Sequence, residues 1–164
     1  MSFSSVVLWL HVIAGFAALA LGLVAMGAKK VRGLHTHTGE AYHWTVLLTC
    51  VLASVLSILE WNRIWWFLPI ALGSYAFAFV GYLSAKIRWK HWLLWHVSGQ
   101  GGSYIAMTTA LLVVNWHSLV GVPGVRSPIA WALPTLIGSP IIALINRRLR
   151  KRQNAVVKLF DTRV

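Results

Sequence analysis

The chain has 164 residues, of which 58% are hydrophobic and 11% charged, with a mean hydropathy of +0.69. Soluble domains carry roughly 45–50% apolar and about 25% charged residues, so the composition argues against a water-soluble enzyme and against a disordered chain. Fifteen Lys and Arg stand against three Asp and Glu, a net charge of +12. Such a balance raises nucleic acid as a partner, unless the positions of the cations explain it otherwise.

A membrane-spanning helix needs about 20 mainly apolar residues. Taken in chain order, five runs meet or approach that length: Phe3–Ala28, Tyr42–Trp61, Ile64–Ala85, His91–Trp116 and Ser127–Ile145. The last is interrupted by Pro134 and Pro140. The expected fold is all-α, a polytopic membrane bundle of five transmembrane helices in residues 1–146. A basic tail, 147–164, follows.

The cations sort by loop. Thirteen of the fifteen follow the first, third or fifth run, and only Arg63 and Arg126 lie in the alternate loops. With five spans those thirteen share one side, and the positive-inside rule then places the N-terminus out and the C-terminus in. The expected location is a bacterial inner membrane. The expected partner of the basic side is the anionic headgroup layer of the bilayer, not nucleic acid. The flanks of the first run reverse those of a secretory signal, so it is expected to be retained.

Helices in lipid associate through small residues and interhelical polar groups. Stripes of that kind recur at helical spacing: His11, Gly15, Ala18, Gly22 and Ala25 in the first run, and His43, Val46, Cys50, Ala53, Ser57 and Glu60 in the second. Ser74, Ala78, Gly81 and Ala85 form the third stripe, and His96, Gly99, Ser103, Ala106 and Ala110 the fourth. Phe77, Phe79 and Leu111 fall off the stripes and are expected to face lipid. The ten tryptophans cluster near run ends, as an aromatic belt does.

Ionisable groups inside a span are costly, and each is a candidate for function. Residues 35–43 hold His35, His37, Glu40 and His43, read as a loop running into the second span, and His91 and His96 lie across from them at the start of the fourth. Imidazole and carboxylate bind zinc, copper, iron or nickel. Candidate metal ligands are His35, His37, His43 and His96. Glu40 and His43 have the i, i+3 spacing of bundle di-metal sites, but too few carboxylates accompany them. A bis-histidine haem b is the sharper expectation, with His43 and His96 at equal depth and Gly99, Gly101 and Gly102 giving the ring space. His11 is the candidate ligand near the opposite face, and a haem would serve electron transfer. Each histidine also has a plain reading: His35 and His37 as solvated residues, His43 as a headgroup contact, His11 and His96 as interhelical hydrogen bonds. Glu60 has one as well, pairing with Arg63 three residues on.

Other chemistries lack their residues. There is no GxSxG, GxxxxGK[ST], GxGxxG before a helix, or HExxH. Cys50 is the one cysteine, which precludes an intrachain disulfide and a multi-cysteine zinc or iron–sulfur site.

The segment His96-Val-Ser-Gly99-Gln-Gly-Gly102-Ser103-Tyr104-Ile105-Ala106, with His11 and Gly15, Leu34-His35, Gly39, Trp131-Ala-Leu-Pro134 and Gly138-Ser-Pro140, resembles a bacterial family of multi-span membrane proteins of unknown function. The resemblance implies a membrane helix bundle in which His11, His35 and His96 are the recurrent polar positions. It implies no reaction. Thr36 stands where the family carries a basic residue, and Gln100 where a methionine is common.

The sequence thus leads to a membrane protein that binds a transition metal or haem b through histidine, in electron transfer or membrane redox chemistry. One alternative is a transport or binding module for a proton, an ion or a small lipophile, with Glu60, Tyr104 and Gln100 among its polar groups. Another is a subunit of a homo-oligomer or larger membrane complex, with Tyr104, Gln100 and Asn115 facing a neighbouring chain.

Overall fold

The computed structural model describes residues 2–161, with side chains through Ala155. Among them the chain is helical and has no strand. The helices are α1 (Phe3–Gly27), α2 (Leu34–Leu59), α3 (Trp61–Ile64), α4 (Phe67–Ile87), α5 (Trp92–Val120) and α6 (Pro128–Asp161), with a 3-10 turn at Gly124–Arg126. All but α3 are long and apolar enough to cross a membrane. Helices satisfy every backbone group within the segment, which is what a lipid environment demands.

The ends are set by local chemistry. The Ser2 hydroxyl accepts from the Ser5 amide at 3.2 Å and caps α1. Gly33, at φ 122°, turns the chain from α1 into α2 in a conformation that L side chains avoid. Arg88 and His91 are left-handed at φ 56° and 61° and make the tight α4–α5 connection. Gly121, at φ 78°, ends α5.

Three boundaries differ from the sequence reading. Helix α2 begins at Leu34, so His35, His37 and Glu40 are helical residues, not a loop. The apolar run starts later than the helix because the first two turns of α2 carry the polar residues His35, Thr36, His37, Thr38 and Glu40. Helix α5 continues to Val120. Helix α6 continues to Asp161, so Arg147, Arg148, Arg150, Lys151 and Arg152 of the basic tail are helical and continuous with the fifth apolar run. Arg163 and the Lys158 side chain lie outside the described residues.

Packing follows the small-residue stripes. Helix α1 packs on α2, α2 on α4, α4 on α5, and α6 on α5 and the 3-10 turn. The buried set includes Ala18 and Gly22 of α1, Val46 and Cys50 of α2, Ala78 and Gly81 of α4, and Gly99 and Ser103 of α5. Phe77, Phe79 and Leu111 are exposed, as their positions off the stripes require. The tightest crossing joins α4 to α5. A Cβ on Gly99 would lie 2.6 Å from the Gly81 backbone, and one on Gly81 would lie 2.7 Å from the Gln100 amide nitrogen.

Lys29, Lys30, Arg32, Lys86, Arg88, Lys90 and the α6 cations share one end of the bundle, hereafter the basic end, and Arg63 and Arg126 lie at the far end. The alternating direction of the long helices produces this segregation.

A histidine pair at the basic end

The α1–α2 hairpin aligns Ala25 with the first turn of α2. There the His35 ring donates through Nδ1 to the Ala25 carbonyl at 2.9 Å. Because a carbonyl only accepts, this bond fixes the tautomer with the proton on Nδ1. Lys30 reaches the same chain end, donating to the Ala25 and Met26 carbonyls at 2.9 and 2.6 Å. These bonds satisfy the open carbonyls that close α1. Partial burial lowers the pKa of Lys30 below the usual lysine value.

On the other side of the bundle, the α4–α5 crossing brings the Gly81 carbonyl to His96. His96 donates to it through Nδ1 at 2.9 Å. The two imidazoles then meet edge to face, with ring centroids 6.2 Å apart at 88°. Both rings are half-buried, and in each the nitrogen left free is Nε2. Metal-ligating histidines characteristically donate their other ring N–H to a backbone carbonyl or carboxylate, which orients the ring and raises its basicity.

His11 has the same arrangement at another depth. Its Nδ1 donates to the Thr49 carbonyl at 3.0 Å, roughly 21 Å along α1 from Ala25 at 1.5 Å per residue. It therefore belongs to a separate layer.

His43 does not join His96. It is 2% exposed and stacks on Tyr82 of α4, centroids 3.9 Å apart and planes 8° from parallel. Its Nδ1 is buried with no hydrogen-bond partner among the described residues. Beside it, Tyr82 donates to Glu40 at 2.6 Å, and Lys86 reaches the other Glu40 oxygen at 2.8 Å. This is the one ion pair among the described residues. Tyr82 and Lys86 were not candidates from sequence, although they lie four residues apart on one face of α4.

The space expected for a haem ring beside His96 is filled. Gly99 sits against the Gly81 backbone, a Cβ on Gly101 would lie 2.7 Å from Ile142, and one on Gly102 would lie 3.1 Å from Phe77. These glycines serve helix packing, and a macrocycle between His43 and His96 does not fit this arrangement. Nor does any group of three or more His, Cys, Asp and Glu among the described residues converge as a metal site. The two imidazoles that meet are His35 and His96.

The other polar candidates turn inward or outward by helix face. Gln100 donates to the Ala78 carbonyl at 3.0 Å. The Tyr104 ring packs over Gly22, whose Cβ would lie 2.8 Å away, and its hydroxyl points to the Leu19 carbonyl at 3.4 Å. Both make contacts within this chain. Tyr42 donates to Ser103 at 2.8 Å, and the Ser103 hydroxyl in turn donates to the Gln100 carbonyl at 2.9 Å. His37, His91 and His117 are exposed. Glu60 marks the α2–α3 junction, where its carbonyl accepts from the Arg63 and Ile64 amides at 2.9 and 3.0 Å.

The fold and this site define an all-helical bundle with five helices able to span a membrane and an anchored histidine pair at its basic end. Comparison with protein-family models, curated proteins and solved structures gives no match.

Proposed function

We propose that this is an integral membrane protein that binds a transition-metal ion through the Nε2 atoms of His35 and His96. The observation that carries the proposal is the pair of Nδ1–carbonyl bonds, which hold two half-buried rings 6.2 Å apart with their remaining nitrogens free. Metal–imidazole bonds are about 2.0–2.1 Å long, so one ion held by both rings requires the two Nε2 atoms to turn toward a common point. The other coordination positions fall to water or a small ligand. Copper, iron, zinc and nickel all accept imidazole, and copper or iron would make the site redox-active. The family resemblance supports the same choice, since it implies His35 and His96 among the recurrent positions. The proposed setting is a bacterial inner membrane with the basic end in the cytoplasm, following the positive-inside rule.

Elemental analysis and absorption spectroscopy of detergent-purified protein test this reading. A stoichiometric metal lost in His35→Ala and in His96→Ala is the expected result. Metal-free protein that takes up none of these ions sinks it. A Soret band would replace the bare ion with haem.

A second reading has its own observation. The orphaned Nδ1 of His43, with Tyr82, Glu40 and Lys86, makes a line of polar groups from the buried interior to the basic end. Intramembrane histidine and carboxylate side chains form proton relays. Proteoliposomes that move protons, and lose that flux in Glu40→Gln and His43→Phe, would favour a transport module.

A further inference from the structure

Helix α6 packs on α5 and the 3-10 turn, which leaves a cleft between α4, α5 and α6. The cleft has a volume of about 450 Å³ and is lined by side chains that include Phe77, Ile105, Ala106, Trp131 and Ile142. It follows α5 from Ser98 to Ala110, roughly 18 Å at 1.5 Å per residue. That is close to one leaflet, half of the roughly 30 Å hydrocarbon core.

The end near Ser98 is not apolar. Asn146 of α6 donates to the Ser98 hydroxyl at 2.8 Å, and its Oδ1 is buried with no partner among the described residues. A buried acceptor without a donor is costly. Register puts a ring of cations just beyond. Because Asn146 lies at the level of Ser98, Arg147 and Arg150 lie near the start of α5. The α4–α5 connection carries Arg88 and Lys90 to that level, with the Arg88 guanidinium 5.5 Å over the Trp92 ring. Arg88, Lys90, Arg147 and Arg150 are exposed, and none has an acidic partner among the described residues.

We propose that this cleft holds one acyl chain of an anionic phospholipid, with its phosphate among these cations. Each part of the ligand answers an observation: the chain answers the cleft, and the phosphate the unpaired cations. A second copy of the protein is the weaker occupant, because it would bring a ring of like cations against this one. The groove on the opposite side of α6, about 700 Å³ and lined by Phe16, Met26, Tyr104 and Leu133 among others, lacks these features. Lys30 beside it is already bound to backbone carbonyls. The lipid site does not depend on His35 or His96.

The test titrates purified protein in neutral detergent with phosphatidylglycerol or phosphatidylcholine and counts bound lipid by native mass spectrometry. One phosphatidylglycerol per chain, held about tenfold more tightly than phosphatidylcholine, is the expected result, given the worth of each basic residue near an anionic headgroup. The double variant Arg147→Gln, Arg150→Gln changes only exposed side chains and should remove most of that preference. Ser139→Phe, which fills the cleft, should expel the lipid while leaving the helix content by circular dichroism unchanged. Equal binding of the two lipids overturns the proposal, as does binding unchanged in both variants. A dimer that dissociates in the same variants also overturns it, by placing a second copy in the cleft.

Discussion

His35 and His96 come from helices that do not follow one another in the chain, yet their rings meet at 6.2 Å and 88°. Each is aimed by a backbone carbonyl on a third or fourth helix, Ala25 of α1 for His35 and Gly81 of α4 for His96. Four helices therefore build the pair, and disturbing any of the four contacts moves a ring.

The pair predicts a sharp contrast among the histidines. His35→Ala or His96→Ala should abolish tight binding of Cu²⁺ or Zn²⁺ in calorimetric titrations. His37→Ala, at an exposed position one turn from the basic end, should leave it unchanged. Loss of the group that hydrogen-bonds the far nitrogen of a metal-bound histidine typically weakens metal affinity about 10- to 100-fold. A change of similar size is therefore expected in variants that shift the Gly81 carbonyl, such as Gly99→Ala. Equal effects of His37→Ala and His96→Ala would contradict the assignment.

The α4–α5 crossing predicts where added methyl groups hurt. Gly99→Ala places a Cβ against backbone that cannot move aside, and overpacking of that kind costs about 1–3 kcal/mol. Gly73, whose Cβ would meet nothing within 4 Å, behaves oppositely. Gly73→Ala should be neutral or stabilising by roughly 0.5–1 kcal/mol through helix propensity. Thermal melts of the two variants in one detergent check both signs.

The Tyr42–Ser103 bond joins α2 to α5 inside the bundle. Tyr42→Phe deletes the donor but leaves Ser103 bonded to the Gln100 carbonyl, so no buried hydroxyl is stranded. The expected loss is about 0.5–1.5 kcal/mol, seen as a lowered unfolding midpoint. Ser103→Ala should cost more, because it leaves the Tyr42 hydroxyl unpartnered in the interior.

The Glu40–Lys86 pair sits at the basic end with both side chains substantially exposed. Exposed ion pairs are worth about 0–1 kcal/mol and are screened by salt. Glu40→Gln should therefore change stability little, and any difference should shrink at high ionic strength. A large, salt-independent loss would show that the Tyr82 bond, not the ion pair, holds α2 to α4.

Gly33 predicts a cost at a turn. Its φ of 122° has open space around it, so Gly33→Ala is opposed by backbone strain alone, on the order of 1–3 kcal/mol. The shift should appear in stability measurements without any change in helix content.

The sequence by itself determined the five long helices, because apolar runs of spanning length and small-residue stripes are local properties. It also determined the segregation of the described cations, since loop parity alone puts those after the first, third and fifth runs at one end. It marked His11, Gly99 and Ser103 as buried-face residues for the same reason. Tertiary structure decided the rest. Which histidines meet depends on how α1, α2, α4 and α5 dock, and helical period carries no information about that. The sequence put His43 and His96 at equal depth, but α2 begins at Leu34 and the Tyr42–Ser103 bond sets its register against α5, so His35 is level with His96 while His43, about 12 Å further along α2, stacks on Tyr82. Glycine spacing looked like room for a cofactor, yet the backbones closed onto those glycines, because close approach is how helices gain contact energy where the hydrophobic effect gives none. The cleft beside α6 is of the same kind: the composition of one helix cannot show that its neighbour stands too far away to cover it.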